Sequence, residues 1–156
     1  MFKSIVGLFL MVCSSFSYGK SYKIIDAQAL STSKIKVLIN TSKGEGYLTL
    51  NLLGVKNVLS CQQENSCQSI EKWIDSSAAF ALVDFSSHKG EVFGGIVVGN
   101  ESLSLKIIRN GLARVDTSRV RSAAYILAEK KAMCMLNGYW FSKRDEQKLI
   151  ASCQSY

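Results

Sequence analysis

The run from Lys34 to Leu53 restricts the chain more than any other part of it. Lys34-Ile35-Lys36-Val37-Leu38-Ile39 alternates polar and apolar side chains, Ser42-Lys43-Gly44-Glu45-Gly46 has turn composition, and Tyr47-Leu48-Thr49-Leu50-Asn51-Leu52-Leu53 is strand-like again. Alternation with a period of two belongs to a strand covered on one face, so this segment is predicted as a β-hairpin. Tyr22-Lys23-Ile24-Ile25-Asp26-Ala27 reads as a strand before it. Phe80-Ala81-Leu82-Val83-Asp84-Phe85 and Val92-Phe93-Gly94-Gly95-Ile96-Val97-Val98 read as two more, flanking the polar turn Ser86-Ser87-His88-Lys89-Gly90.

Helical spacing appears between and after these strands. Ile70, Trp73, Ile74 and Ala78 recur at intervals of three and four, which predicts a helix from Cys67 to Ala79. A short helix is expected from Leu103 to Arg109, stopped by Asn110-Gly111. A longer one is expected from Ser118 to Met135, with Ala124, Leu127, Ala128 and Met135 on one side, ending near Asn137-Gly138. Five short strands with about three helices inserted and appended suit an α+β fold, a small closed barrel of the OB type. With 156 residues, 47% of them hydrophobic, there is room for one substantial core. The domain is expected over residues 20–141, with 142–156 as a C-terminal tail.

Residues 1–19 are set aside as a secretory signal peptide. Lys3 opens the segment, the apolar run Ile5 to Val12 follows, and Ser17-Tyr18-Gly19 supplies small residues for cleavage. The competing readings are an uncleaved anchor and lipid attachment at Cys13, although that processing wants a small residue where Val12 stands. Export to the periplasm or out of the cell is therefore expected. Cleavage would leave Cys61, Cys67, Cys134 and Cys153, an even number suited to disulfides in an oxidising compartment. Four cysteines allow three pairings, and sequence alone does not choose among them. The pairing preferred here joins Cys61 to Cys67 around a polar loop and Cys134 to Cys153, tying the tail to the last helix. Zinc would usually need two close cysteine pairs, and only one is present.

Three motifs then point to a family. Leu103 followed by Ile108-Arg109-Asn110-Gly111-Leu112-Ala113-Arg114-Val115, Ala128-Glu129-Lys130-Lys131-Ala132 with Asn137-Gly138-Tyr139-Trp140, and Leu50-Asn51-Leu52-Leu53-Gly54-Val55 occur in that family's order and spacing. Over residues 22–141 the chain resembles the staphylococcal nuclease (thermonuclease) family. The resemblance implies phosphodiester hydrolysis with a divalent cation, commonly calcium, a Glu handling water, and two Arg neutralising the phosphate. This sequence departs at each matched position. Ser33 stands for the first metal carboxylate, Asn51 for the first Arg, and Lys56, followed by Asn57, for the second metal carboxylate. Leu59 stands for the catalytic Glu, and Lys89-Gly90-Glu91 replaces the turn with the second Arg, leaving Glu91 there. Losing one such donor typically costs about 10²–10³ in rate, and Lys56 puts a cation where a cation should bind.

The expectation is thus a nuclease fold without nuclease chemistry and without a cofactor, acting as a binding or adaptor module for nucleic acid or a cell-envelope protein. The alternative is a divergent metal-dependent nuclease using calcium or another divalent cation. His88, the only histidine, lies in a polar turn. Asp26, Glu64, Glu71, Asp75 and Asp84 are expected on solvated faces, and Glu129 in a structural ion pair. Gly94-Gly95 is expected to mark a bulge or close packing in the barrel. Tyr47, Phe80, Phe85 and Phe93 are expected in the core. The net charge of +7 concentrates after residue 103, so Arg119, Arg121, Lys130, Lys131, Lys143 and Arg144 are the expected binding surface.

Overall fold

The computed structural model describes residues 20–76, 78–84 and 90–154. The leader with Cys13, the polar turn with His88, and Phe85 lie outside them. In the predicted hairpin, Ile35, Val37 and Ile39 of β2 (Lys34–Thr41) are buried while Lys34 and Lys36 stay half-buried, as a period of two requires. β3 (Gly44–Leu52) pairs antiparallel with β2 and buries Leu50 and Leu52. β1 (Lys20–Ser31) serves two neighbours: Lys20 to Lys23 pair with β5 (Ala79–Asp84), and Ile24 to Ser31 pair with β2. A register shift at Ile24/Asp26 lies where it passes from one partner to the other, and a second at Ala29/Ser31 lies next to the turn into β2.

β6 (Val92–Val98) pairs antiparallel with β5 and then parallel with β3, Leu50 to Leu52 meeting Val92 to Gly94. That last ladder closes β1, β2, β3, β6 and β5 into a five-stranded barrel of the OB type, and β7 (Glu101–Ser102) adds to β6. β4 (Val55–Asn57) and β8 (Ala113–Val115) form a separate two-stranded ladder. Gly94 lies where two strands come close, since a Cβ there would stand 2.3 Å from the Leu82 carbonyl oxygen. The expected close packing at this position is present.

Helix α1 (Ser66–Asp75) covers one side of the barrel through Ile70 and Ile74, both buried, each contributing about 1.5–3 kcal/mol. It ends before Ala78, which is exposed. Glu71 departs from its expected solvated role, because its Oε1 accepts the Ala29 N–H at 2.9 Å, beside the second shift in β1. The Cys61–Cys67 disulfide fastens the segment leading into α1.

Helix α2 (Leu103–Arg109) begins at Ser102, whose hydroxyl accepts the Leu105 N–H, and buries Leu103, Ile107 and Ile108. Gly111 then takes φ +70° and meets the second Asn-Gly turn directly. A Cβ on Gly111 would lie 2.1 Å from the Asn137 carbonyl oxygen, and one on Gly138 would lie 2.5 Å from that of Gly111. The two glycines therefore permit a backbone contact that Tyr139 N–H completes by donating to Gly111 O at 2.9 Å.

Helix α3 (Ala123–Cys134) starts later than Ser118. The Ser118 N–H and hydroxyl both donate to Asp116 Oδ1, a local turn that competes with helix. Its buried side agrees with the expected one only at Ala128. Leu127 and Met135 are 57% and 61% exposed and Ala124 is exposed, while Ala132 is buried and Tyr125 and Ala128 pack on the core. Apolar residues occur all round this helix, so periodicity had no single stripe to select. The stretch expected as a tail carries a 3₁₀ turn (Gly138–Lys143) running into it and α4 (Gln147–Cys153), a fourth α-helix. Leu149, Trp140 and Ala132 make a second small core, and the Cys134–Cys153 disulfide bolts α4 to α3. Both expected disulfide pairings are present.

Candidate functional site

The positions matched to nuclease chemistry fall into four environments. Ser33 lies in the β1–β2 turn, which Asn57 of β4 meets by accepting from Thr32 Oγ1, and Leu52 N–H donates to Ser33 O at 2.8 Å. Asn51 lies across from Lys34 on β2 and Phe93 on β6, its Nδ2 donating to the Val92 carbonyl at 3.3 Å. Glu91 is exposed just ahead of that contact. Lys56 points away from these groups into a hollow it shares with Arg114, Asp116, Ser118 and Glu129. Leu59 is buried in the barrel core, where no solvent nucleophile reaches it. Among the described residues, no group of three or more His, Cys, Asp or Glu side chains is placed to hold a metal ion.

Three of the six residues of the expected basic surface stand in ion pairs. Arg119 lies 3.8 Å from Asp116, Lys143 lies 2.9 Å from Glu146, and Arg144 lies 3.8 Å from Asp145. The hydrogen bond to Glu146, and then its charge, raise the Lys143 pKa above the ordinary lysine value. Arg121 and Lys131 are exposed, and Lys130 is half-buried on α3. The expected ion pair of Glu129 is present: its Oε1 accepts from Arg114 Nε at 3.2 Å and from Val115 N–H at 3.0 Å.

The outer side of β2, β3 and β6 carries a feature of another kind. Strand alternation turns Leu50 and Leu52 inward and presents Tyr47, Thr49 and Asn51 on the outer side of β3, next to Lys34 and Lys36 of β2 and Phe93 of β6. Tyr47 is 66% exposed, with Lys36 Nζ 4.5 Å from its ring centroid. Arg119 reaches across from the loop before α3 to stand 3.9 Å over the Phe93 ring. A groove of about 320 Å³ lies beside Tyr47, lined also by Lys34, Thr49, Asn51, Glu91 and Val92. This corrects the expectation of buried aromatics: Tyr47 is outside, Phe80 is 40% exposed, and Phe93 is half-buried. The alternation of Tyr47-Leu48-Thr49-Leu50-Asn51-Leu52 carried the signal for Tyr47. Nothing in the sequence signalled that Arg119 would meet Phe93.

Such an arrangement has definite chemical capacities. Tyr47 offers an exposed stacking surface with a cation close by, suited to a flat π-system attached to an anion, while at Phe93 the Arg119 guanidinium already covers a ring face and supplies positive charge there. The class defined by the fold is an α+β protein built on a closed OB-type barrel. No protein-family model matches the chain, and no curated protein matches its sequence. Among the described residues, no helix is long and apolar enough to cross a membrane.

Proposed function

We propose that this chain is an exported OB-type module that binds single-stranded nucleic acid on the outer face of β2, β3 and β6 and does not cleave it. The observation that carries this reading is the pairing of Tyr47 with Lys36 and of Phe93 with Arg119 on one strand face. Base stacking on an aromatic ring contributes about 1–3 kcal/mol per base, and the adjacent cations meet the phosphates between stacked bases. Strand faces of OB barrels suit an extended oligonucleotide, whereas duplex bases are already stacked and offer no free π-face. The resemblance to the staphylococcal nuclease family supports a nucleic-acid ligand. The departures at Ser33, Asn51, Lys56, Leu59 and Glu91 support binding without hydrolysis, because Asn51 is committed to a backbone carbonyl and Leu59 to the core. The two disulfides support an oxidising destination.

The test is fluorescence anisotropy with labelled single-stranded DNA and RNA across a salt series, alongside cleavage assays with calcium, magnesium and manganese. Binding should weaken steeply with salt. Tyr47→Ala and Phe93→Ala should each reduce affinity by about 5- to 150-fold, the equivalent of one stacked base. Absence of binding at low salt would overturn the ligand assignment, and metal-dependent cleavage by the purified protein would overturn the non-cleaving half of it.

A further inference from the structure

A second, smaller hollow opens on the other side of β3, toward the barrel interior, and shares Tyr47 and Leu48 with the groove. Tyr22 of β1, Ile39 and Thr41 of β2, and Gly46, Tyr47 and Leu48 of β3 enclose about 190 Å³. Polar groups are scarce there. The Thr41 hydroxyl is held by its own turn, donating to Gly44 O at 2.8 Å and accepting from Lys43 N–H at 3.2 Å. The space exists because residue 46 has no side chain. Gly46 sits opposite Ile39 in the ladder, on the same side of β3 as Leu48, Leu50 and Leu52. Its φ lies outside the left-handed region, and a Cβ built on it would meet nothing within 4 Å. Neither backbone conformation nor close packing therefore calls for glycine here. Glycine weakens a strand relative to alanine, and what this one provides is room for an approaching group.

Size, chemistry and continuity identify that group. The hollow is well below the ~300–1,000 Å³ usual for whole small-molecule ligands, so it holds one ring rather than a jointed molecule. Tyr47 and Leu48 line both this hollow and the groove that holds Lys34, Thr49 and Asn51, so one extended ligand can occupy both. Around them, residues 20–52 carry Lys20, Lys23, Lys34, Lys36 and Lys43 against Asp26 and Glu45, a surplus that favours an anionic chain.

We infer that the hollow receives a single unstacked nucleobase from the strand bound along the β2–β3–β6 face, which makes Tyr22 and Gly46 part of the binding site. This rests on the nucleic-acid reading above. The apolar walls contact the base by its face and not its hydrogen-bonding edges, so occupancy is tolerant of base identity.

The experiment is a graded series, Gly46→Ala, Gly46→Val and Gly46→Leu, which fills the hollow progressively while leaving Tyr47, Lys36, Phe93 and Arg119 in place. Folding is checked by circular dichroism and thermal melting. Affinity for oligodeoxythymidine should fall stepwise, by about tenfold at the larger side chains, the loss of one stacked base. The slope of log affinity against log salt should not change, because no phosphate contact is removed. A 2-aminopurine placed within the oligonucleotide should change emission on binding to the wild-type protein and lose that change with Gly46→Val. If Gly46→Ala and Gly46→Val bind like wild type while Tyr47→Ala is weakened, the pocket assignment is wrong and the strand-face reading stands. If the wild-type protein binds no oligonucleotide, both fail together. Loss in the series of binding to an aromatic-rich acidic peptide, with no effect on oligonucleotides, would assign the hollow to a protein side chain instead.

Discussion

Residues 20–52 and residues 104–156 both carry more lysine and arginine than aspartate and glutamate, and the fold puts the two surpluses to different use. In the C-terminal segment the cations are drawn into the architecture. Arg109 meets Glu101 at 2.7 Å, Arg114 meets Glu129, Arg119 meets Asp116, and Lys143 and Arg144 meet the acids that follow them. On the first three strands, Lys34 and Lys36 have no carboxylate partner among the described residues, and Lys36 stands over a ring. A tally of charge along the chain favours the helices. A tally by face favours the barrel, because an ion pair presents little net field to an approaching phosphate, whereas an unpaired lysine presents all of its charge. Arg119 belongs to both accounts: its sequence neighbours are C-terminal, and its ring contact is with β6.

The strongest way to separate the two regions is to loosen the helical one. Replacing Cys134 and Cys153 together by serine should lower unfolding stability by about 3 kcal/mol in a denaturant titration, because the bond closes a loop between positions 19 apart. Affinity for single-stranded DNA, measured under conditions where the variant remains folded, should be unaffected. Next in size, Lys34→Ala, Lys36→Ala and Arg119→Ala combined should weaken that affinity by about thirtyfold at low salt and make the salt slope shallower by about 2. The matched triple of Lys131→Ala, Lys143→Ala and Arg144→Ala should stay within about threefold of wild type; if it proves the weaker binder, the comparison inverts.

A smaller effect is expected at Glu129. Glu129→Ala leaves the Val115 N–H and the Arg114 guanidinium without their acceptor and should cost about 2 kcal/mol of stability, read from the denaturation midpoint. The smallest concerns Lys143. Its pKa is raised in the folded protein, so the stability it adds is present below the ordinary lysine value of 10.5 and is lost as pH rises through the folded value. Melting temperature followed from pH 9 to 12 should therefore fall slightly faster for the wild type than for Lys143→Met. The exposure of this pair keeps the difference small.

The barrel was legible because its information is local and periodic. Ile35, Val37 and Ile39 declare an inner face by themselves, and Asn110-Gly111 and Asn137-Gly138 mark helix ends through a backbone geometry few other residues accept. The disulfide pairing was one preference among three that sequence left open, and the fold adopts it. Legibility failed where the deciding contact is distant or where two local signals compete. Ser118 reads as the start of a helix until its turn with Asp116 is seen, and the orientation of α3 depends on Tyr125 resting against Gly54, where a Cβ would lie 2.9 Å from the ring. Tyr47 was misread for a simpler reason. A large aromatic in a strand suggests core on composition, yet its place in the alternation beside Thr49 and Asn51 assigns it to solvent. The face built from Tyr47, Lys36, Phe93 and Arg119 joins three strands and a loop, and no single stretch of sequence contains it.

The parallel seam between Leu50–Leu52 and Val92–Gly94 also governs timing. The first hairpin can form as soon as its own residues are available, but the barrel stays an open sheet until some forty residues more have been added, and closing that long loop is entropically slow. Until then β3 has an unpaired edge, and the outer face has one of its two rings. For a chain proposed to cross a membrane before it matures, the seam delays assembly of the binding face until nearly two thirds of the polypeptide is available to complete it.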